Sequence, residues 1–103
     1  MIMNRSHQAD FLVRFQSKAR KDGLTIVPRS KNRDTLAFLG LLEYQAKEVI
    51  MGLREDQCIA GPLKDFDGSE GEIYEFEAEV QQTTVYIKLK LDSAEAKCIS
   101  FHT

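Results

Sequence analysis

A chain of 103 residues, 43% hydrophobic and 29% charged, has the size and make-up of one globular domain over residues 1–103 and is too short for two cores. No apolar run approaches the ~20 residues that span a bilayer, and Met1–Arg5 lacks the apolar stretch of a signal peptide. The expected location is therefore cytoplasmic, with no membrane partner.

The net charge of −2 divides unevenly: residues 1–54 carry ten Lys/Arg against five Asp/Glu, and residues 55–103 carry four against eleven. The basic excess falls at Arg14, Lys18, Arg20, Lys21, Arg29, Lys31 and Arg33, with only Asp22 among them to oppose it. Such a cluster can hold phosphates, or it can be the solvated face of a helix and loop. Cys58 and Cys98 are too few for a disulfide scaffold. The only histidines are His7 and His102, and neither C-x-x-C nor H-x-x-x-H spacing occurs. The thiols therefore read as bystanders, and no metal or cofactor is expected.

In chain order, Ser6 is a candidate N-cap for a helix over 7–21, whose apolar positions Phe11, Leu12, Phe15 and Ala19 follow helical spacing up to a stop at Gly23. Leu24–Val27 reads as a short strand ended by Pro28. Asp34 can cap a short helix through Leu39, closed by Gly40. A further helix is predicted over 43–53, with Ala46, Val49, Ile50 and Leu53 on one side. Residues 54–72, with Pro62 and several Gly/Ser positions, read as a loop. Three alternating strands follow, at Ile73–Val80, Thr83–Leu91 and Lys97–His102. The expected fold class is α+β: a C-terminal antiparallel meander plus a short N-terminal strand, with about three helices packed on it.

Alternation divides each strand into two faces. Tyr74, Phe76, Ala78 and Val80 oppose Glu75, Glu77 and Glu79; Val85, Ile87, Leu89 and Leu91 oppose Tyr86, Lys88 and Lys90; Ile99 and Phe101 oppose Cys98, Ser100 and His102. The apolar sets must share the core, and that requirement fixes the register. A two-residue turn at Gln81-Gln82 then pairs Val80 with Thr83, Phe76 with Ile87 and Tyr74 with Leu89. A five-residue loop at 92–96 pairs Leu91 with Lys97, Leu89 with Ile99 and Ile87 with Phe101.

On the other face this register makes two rows, Glu77–Tyr86–His102 and Glu75–Lys88–Ser100, whose neighbours should have Cβ atoms about 4.5–5.5 Å apart. A carboxylate, a phenol, an imidazole and an ammonium so placed are the materials of RNA cleavage without a metal. That reaction needs a base for the 2′-hydroxyl proton, an acid for the leaving 5′-oxygen and a cation for the charge growing on the phosphate. The same ladder can equally be a solvated, merely stabilising sheet face.

Val85-Tyr86-Ile87-Lys88-Leu89 followed by Cys98-Ile99-Ser100-Phe101 resembles the Val-Tyr-Leu-Lys…Ile-Val-Ser-Phe run of MqsR-type toxins. Leu39-Gly40-Leu41, followed after ten residues by Gly52-Leu53, resembles that family's helical segment at the same spacing. The resemblance implies a RelE-like fold and an mRNA endoribonuclease toxin of a type II toxin–antitoxin system, held in check by a cognate antitoxin. Tyr86 matches the family's functional tyrosine, His102 stands where the family has a lysine, and Glu75 falls roughly where it has a glutamine. The family's other lysine, shortly after Gly-Leu, aligns with Ala60, which leaves Lys64 to supply that charge. The expected catalytic set is His102 as general acid or base, Tyr86 as partner of the scissile nucleotide, Lys88 as phosphate-stabilising cation, and Glu75 and Glu77 as tuning groups. Lys64, Lys90, Arg29, Lys31 and Arg33 are the expected RNA contacts. A non-catalytic binding protein on the same fold, a decayed toxin or a partner-binding protein of a mobile element, is the alternative.

Overall fold

The computed structural model describes the backbone of residues 3–103 and the side chains of residues 7–103. Three helices, α1 (Met3–Asp22), α2 (Ser30–Leu39) and α3 (Glu43–Met51), accompany five strands: β1 (Leu24–Ile26), β2 (Cys58–Leu63), β3 (Glu72–Val80), β4 (Thr83–Leu91) and β5 (Ala96–His102). The strands form one sheet in the order β1-β5-β4-β3-β2, with β1 parallel to β5 and the other neighbours antiparallel. The fold class is α+β. No helix among the described residues is long and apolar enough to cross a membrane.

The helices bury their apolar stripes against one face of this sheet. Phe11, Leu12, Phe15 and Ala19 of α1, Leu39 of α2, and Ala46 and Ile50 of α3 share a core with the inward residues of β3, β4 and β5. The Phe11 ring centroid lies 4.4 Å from that of Tyr74 and 5.7 Å from that of Phe15. Each phenylalanine, leucine or isoleucine of this set, fully buried, contributes about 1.5–3 kcal/mol through removal of apolar surface from water.

The helix starts differ from those expected. The α1 backbone begins at Met3, so Ser6 lies inside the helix rather than at its start; the expected cap bond concerns a side chain outside the described residues. α2 begins at Ser30, after an extended Arg29, so Asp34 is an interior residue and not a cap. Asn32 explains the earlier start, because it must lie on the first turn to reach the sheet. Its Nδ2 donates to Val27 O at 2.8 Å and Ile99 O at 3.0 Å, and its Oδ1 accepts from Phe101 N at 2.9 Å. β1 stops at Ile26, so the edge of β5 past Cys98 lacks a strand partner, and the Asn32 amide takes that place. α2 closes at Gly40 in the left-handed conformation, φ 67°, with Leu41 N donating to Leu36 O at 2.9 Å.

The β3–β4 pairing runs Tyr74↔Leu89, Phe76↔Ile87 and Val80↔Thr83, as the faces require. Its turn places Gln81 at φ 52° and Gln82 at φ 64°, the two positive values that a two-residue hairpin of this hand needs.

Two expectations are corrected. The segment 54–72 is not all loop: β2 forms within it as an edge strand carrying Pro62, with an irregular register against β3. Its pattern CIAGPL lacks alternation, and an edge position is where a sheet accepts proline. The second correction concerns β5. Tyr86↔His102, Ile87↔Phe101 and Lys88↔Ser100 pair as expected, but Leu89 then faces Cys98 and Leu91 faces Ala96, so Ile99 is the extra residue of a bulge. The turn is the reason. Asp92 Oδ1 accepts from Ala94 N at 2.8 Å and Glu95 N at 2.9 Å, which closes it one residue earlier than expected. Cys98 consequently lies in the core, not on the polar face, and Ile99 leaves the core for the opposite side.

Candidate functional site on the open sheet face

The face turned away from the helices carries three rows. Glu77–Tyr86–His102 and Glu75–Lys88–Ser100 are both formed as expected, and below them Ile73 and Lys97 flank Lys90. The Tyr86 and His102 rings meet with centroids 5.3 Å apart and planes inclined at 45°. Both residues remain partly exposed. The Tyr86 hydroxyl donates diagonally to Glu75 Oε2 at 2.7 Å. Burial first, and then the Glu75 bond and charge, push the phenol well above its ordinary pKa, with Arg29 opposing. At neutral pH Tyr86 is thus a protonated hydrogen-bond donor and not a base.

Glu75 is engaged by this phenol and not by Lys88, the partner that their cross-strand placement suggested. Lys88 forms no ion pair with another described residue, which leaves its ammonium available to an anion. Glu77 is exposed, and its carboxylate accepts no side-chain hydrogen bond among the described residues. His102 Nδ1 lies 3.2 Å from the Thr103 backbone oxygen, so Nε2 is the nitrogen left to meet a substrate. Arg29, at the mouth of α2, reaches across the edge of β5 to Ser100 Oγ at 3.2 Å and Ile99 O at 3.4 Å.

The lower end of the face is covered by the connection 64–71 between β2 and β3. Lys90, expected as an RNA contact, is only 4% exposed beneath it. Its Nζ donates to Asp65 Oδ2 at 2.8 Å and to Ser69 Oγ at 2.6 Å. The hydrogen bond to Asp65 raises the Lys90 pKa and holds the Asp65 carboxyl below the usual carboxylate range, so the pair is fully charged at neutral pH. Its charge is consumed inside the protein, and Lys90 is withdrawn from the site. Gly71 makes this close packing feasible: a Cβ there would stand 2.9 Å from Lys90 Cε and 3.0 Å from Leu91 O.

Between this connection and the start of α2 runs a groove of about 540 Å³, lined by Val27 and Arg29 on one side, Leu63, Lys64, Asp65, Phe66 and Asp67 on the other, and Ile73, Lys88, Lys97 and Ile99 between them. Lys64, Arg29 and Lys88, all expected from the sequence, meet here. Lys31 and Arg33 do not line it; they lie exposed on α2, where Arg33 donates to Pro28 O at 3.2 Å. Two members of the early basic cluster are neutralised elsewhere: Arg14 pairs with Asp10 and Glu72, and Lys18 pairs with Asp22, each at 2.8 Å.

Comparison with protein-family models, with curated proteins and with solved structures returned no match.

Three groove residues escaped the sequence reading. Alternation gives Lys97 only a strand end and Ile99 a place in the core, and Phe66 falls within the expected loop. For Phe66 the signal was present, since it is the single aromatic side chain in a polar stretch, LKDFDGSEGE. Neither cysteine contributes to the site. Burial pushes the Cys98 thiol up to about 12, and burial also raises Cys58, so both stay protonated at neutral pH.

Proposed function

We propose that this protein is a metal-independent endoribonuclease of the MqsR/RelE kind, a type II toxin that cleaves mRNA in the cytoplasm, on or off the ribosome, and is restrained by a cognate antitoxin. The observation that carries the reading is the contact of Tyr86 with His102 on an uncovered sheet face, one row from the unpaired Lys88 and the cationic groove. A phosphodiester laid across these rows meets an imidazole for proton transfer, a neutral phenol for a non-bridging oxygen or the base, and an ammonium for the developing negative charge. Glu75 orients the phenol, which makes it a positioning residue, and Glu77 stands beside Tyr86 on the exposed side of the same row. Helices on one face of a meander, with a parallel N-terminal strand, agree with a RelE-like fold.

The test is cleavage of purified RNA and of mRNA on translating ribosomes by wild type, His102→Ala and Tyr86→Phe. Loss of a general acid–base group costs about 10²–10⁴-fold in rate. Equal cleavage by all three proteins refutes the sheet-face assignment. A binding protein without catalysis is the second reading. It is favoured by Ala60 of β2, which stands where the resemblance places a second cation. RNA retained by the wild type with no cleavage, in either assay, and no growth arrest on induced expression selects it.

A further inference from the structure

Phe66 is 101% exposed, as open to solvent as the residue can be, and stands at the rim of the groove between Asp65 and Asp67. A free loop phenylalanine gains nothing for the fold from that position. Beneath it the groove floor is apolar where Ile73 and Ile99 lie, and Ile99 is there only because the β5 bulge turned it out of the core. The groove also holds four cations, Arg29, Lys64, Lys88 and Lys97, with Lys88 on the strand between the two isoleucines. Lys97 has Glu95 at 3.7 Å, and the other three form no ion pair with a described residue. Of the two groove carboxylates, Asp65 is held by Lys90, and Asp67 Oδ1 accepts from Ser69 N at 2.9 Å. The balance at the groove is positive in a chain whose total charge is negative.

We infer that this groove is a subsite for one unpaired nucleotide of the RNA, its base stacked on Phe66 over the Ile73–Ile99 floor and its phosphates held by Lys64, Lys88 and Arg29. The ligand class follows from the chemistry. An exposed aromatic ring beside unpaired cations is the pairing that single-stranded nucleic acids require, a π-face for the base and positive charge for the backbone. Bases within a duplex are stacked on each other and offer no face, so the subsite selects looped or single-stranded segments. Lys88 belongs both to this groove and to the row next to Tyr86 and His102, so a base seated here places the adjoining phosphodiester toward those rings. The inference takes its ligand from the ribonuclease reading, but it concerns binding and not the chemical step.

The test is fluorescence anisotropy with a short, labelled single-stranded oligoribonucleotide carrying 2′-O-methyl groups, which remove the internal nucleophile and leave binding alone. Phe66→Leu should weaken binding roughly 5- to 150-fold, the range of a lost base–aromatic stack. Phe66→Trp should restore wild-type affinity, and a blunt RNA duplex should compete poorly. Because Phe66 touches none of the core, both variants should give wild-type circular dichroism. Affinity unchanged in Phe66→Leu overturns the inference and leaves the ring to a protein partner; a duplex binding as well as the single strand overturns it too. Phe66-dependent binding by a protein that cleaves no RNA keeps the subsite and removes the ribonuclease. Cleavage that depends on His102 with binding indifferent to Phe66 does the reverse.

Discussion

Asn32→Ala tests how the site strand is held. Asn32 is 1% exposed, and its amide makes three bonds to backbone groups of β5 and of the segment after β1. Their losses are unequal. Val27 O keeps the Arg29 N–H at 2.8 Å, and Ile99 O keeps the Arg29 guanidinium at 3.4 Å. Phe101 N–H loses its only partner while buried, which costs about 1–3 kcal/mol, and the two shared acceptors add about 0.5–1.5 kcal/mol each. A destabilisation of about 2–6 kcal/mol is expected, a large part of the total for a domain of this size. In thermal unfolding that is a fall in Tm of about 10–30 °C. Urea unfolding followed by circular dichroism measures it directly, with the slope against denaturant unchanged. Asn32→Asp should be no better at neutral pH, because its second oxygen then faces two carbonyls, and should recover partly in acid as the carboxyl takes a proton. A loss under about 0.5 kcal/mol for the alanine variant, the range of an ordinary surface substitution, would refute the idea that Asn32 completes the sheet edge.

Two further outcomes are expected. Replacing Gln81-Gln82 by Asn-Gly should stabilise the protein by about 1 kcal/mol, because both glutamines occupy positive φ, which asparagine and glycine adopt with less strain; a lower Tm would show that the glutamine side chains matter more than the backbone. Tyr86 should ionise later than a free tyrosine, and Glu75→Gln should bring its phenolate absorbance back toward pH ~10 in a wild-type-minus-Tyr86→Phe difference titration. A folded-state value above the unfolded one means the stabilisation is whole below pH ~10 and declines as pH rises through the folded value, so the variant should lose less stability in alkali than the wild type does.

The two rows of the sheet face were legible because β3 and β4 alternate without interruption and a two-residue turn allows one register. Tyr86, Lys88 and His102 therefore came together as read. Ile99 and Cys98 were misplaced because the bulge depends on Asp92 tightening the turn, a side-chain bond that apolar periodicity does not report. Lys90 was misread for a similar reason: alternation gives the face of a residue but not what folds over it, and Asp65 and Ser69 come from a segment with no periodicity. β2 was missed because an irregular edge strand borrows its order from β3. The groove, built from the mouth of α2, the 64–71 connection and a bulge, is tertiary in origin, and only its lone phenylalanine stood out in the chain.

The bulge bears on how this surface can change over generations. Without Ile99, Cys98 and Ser100 would be consecutive and would alternate correctly between the two faces, so the ladder itself has no need of the additional residue. Position 99 is therefore a place where side-chain size can drift to suit a different guest while the interior stays as it is.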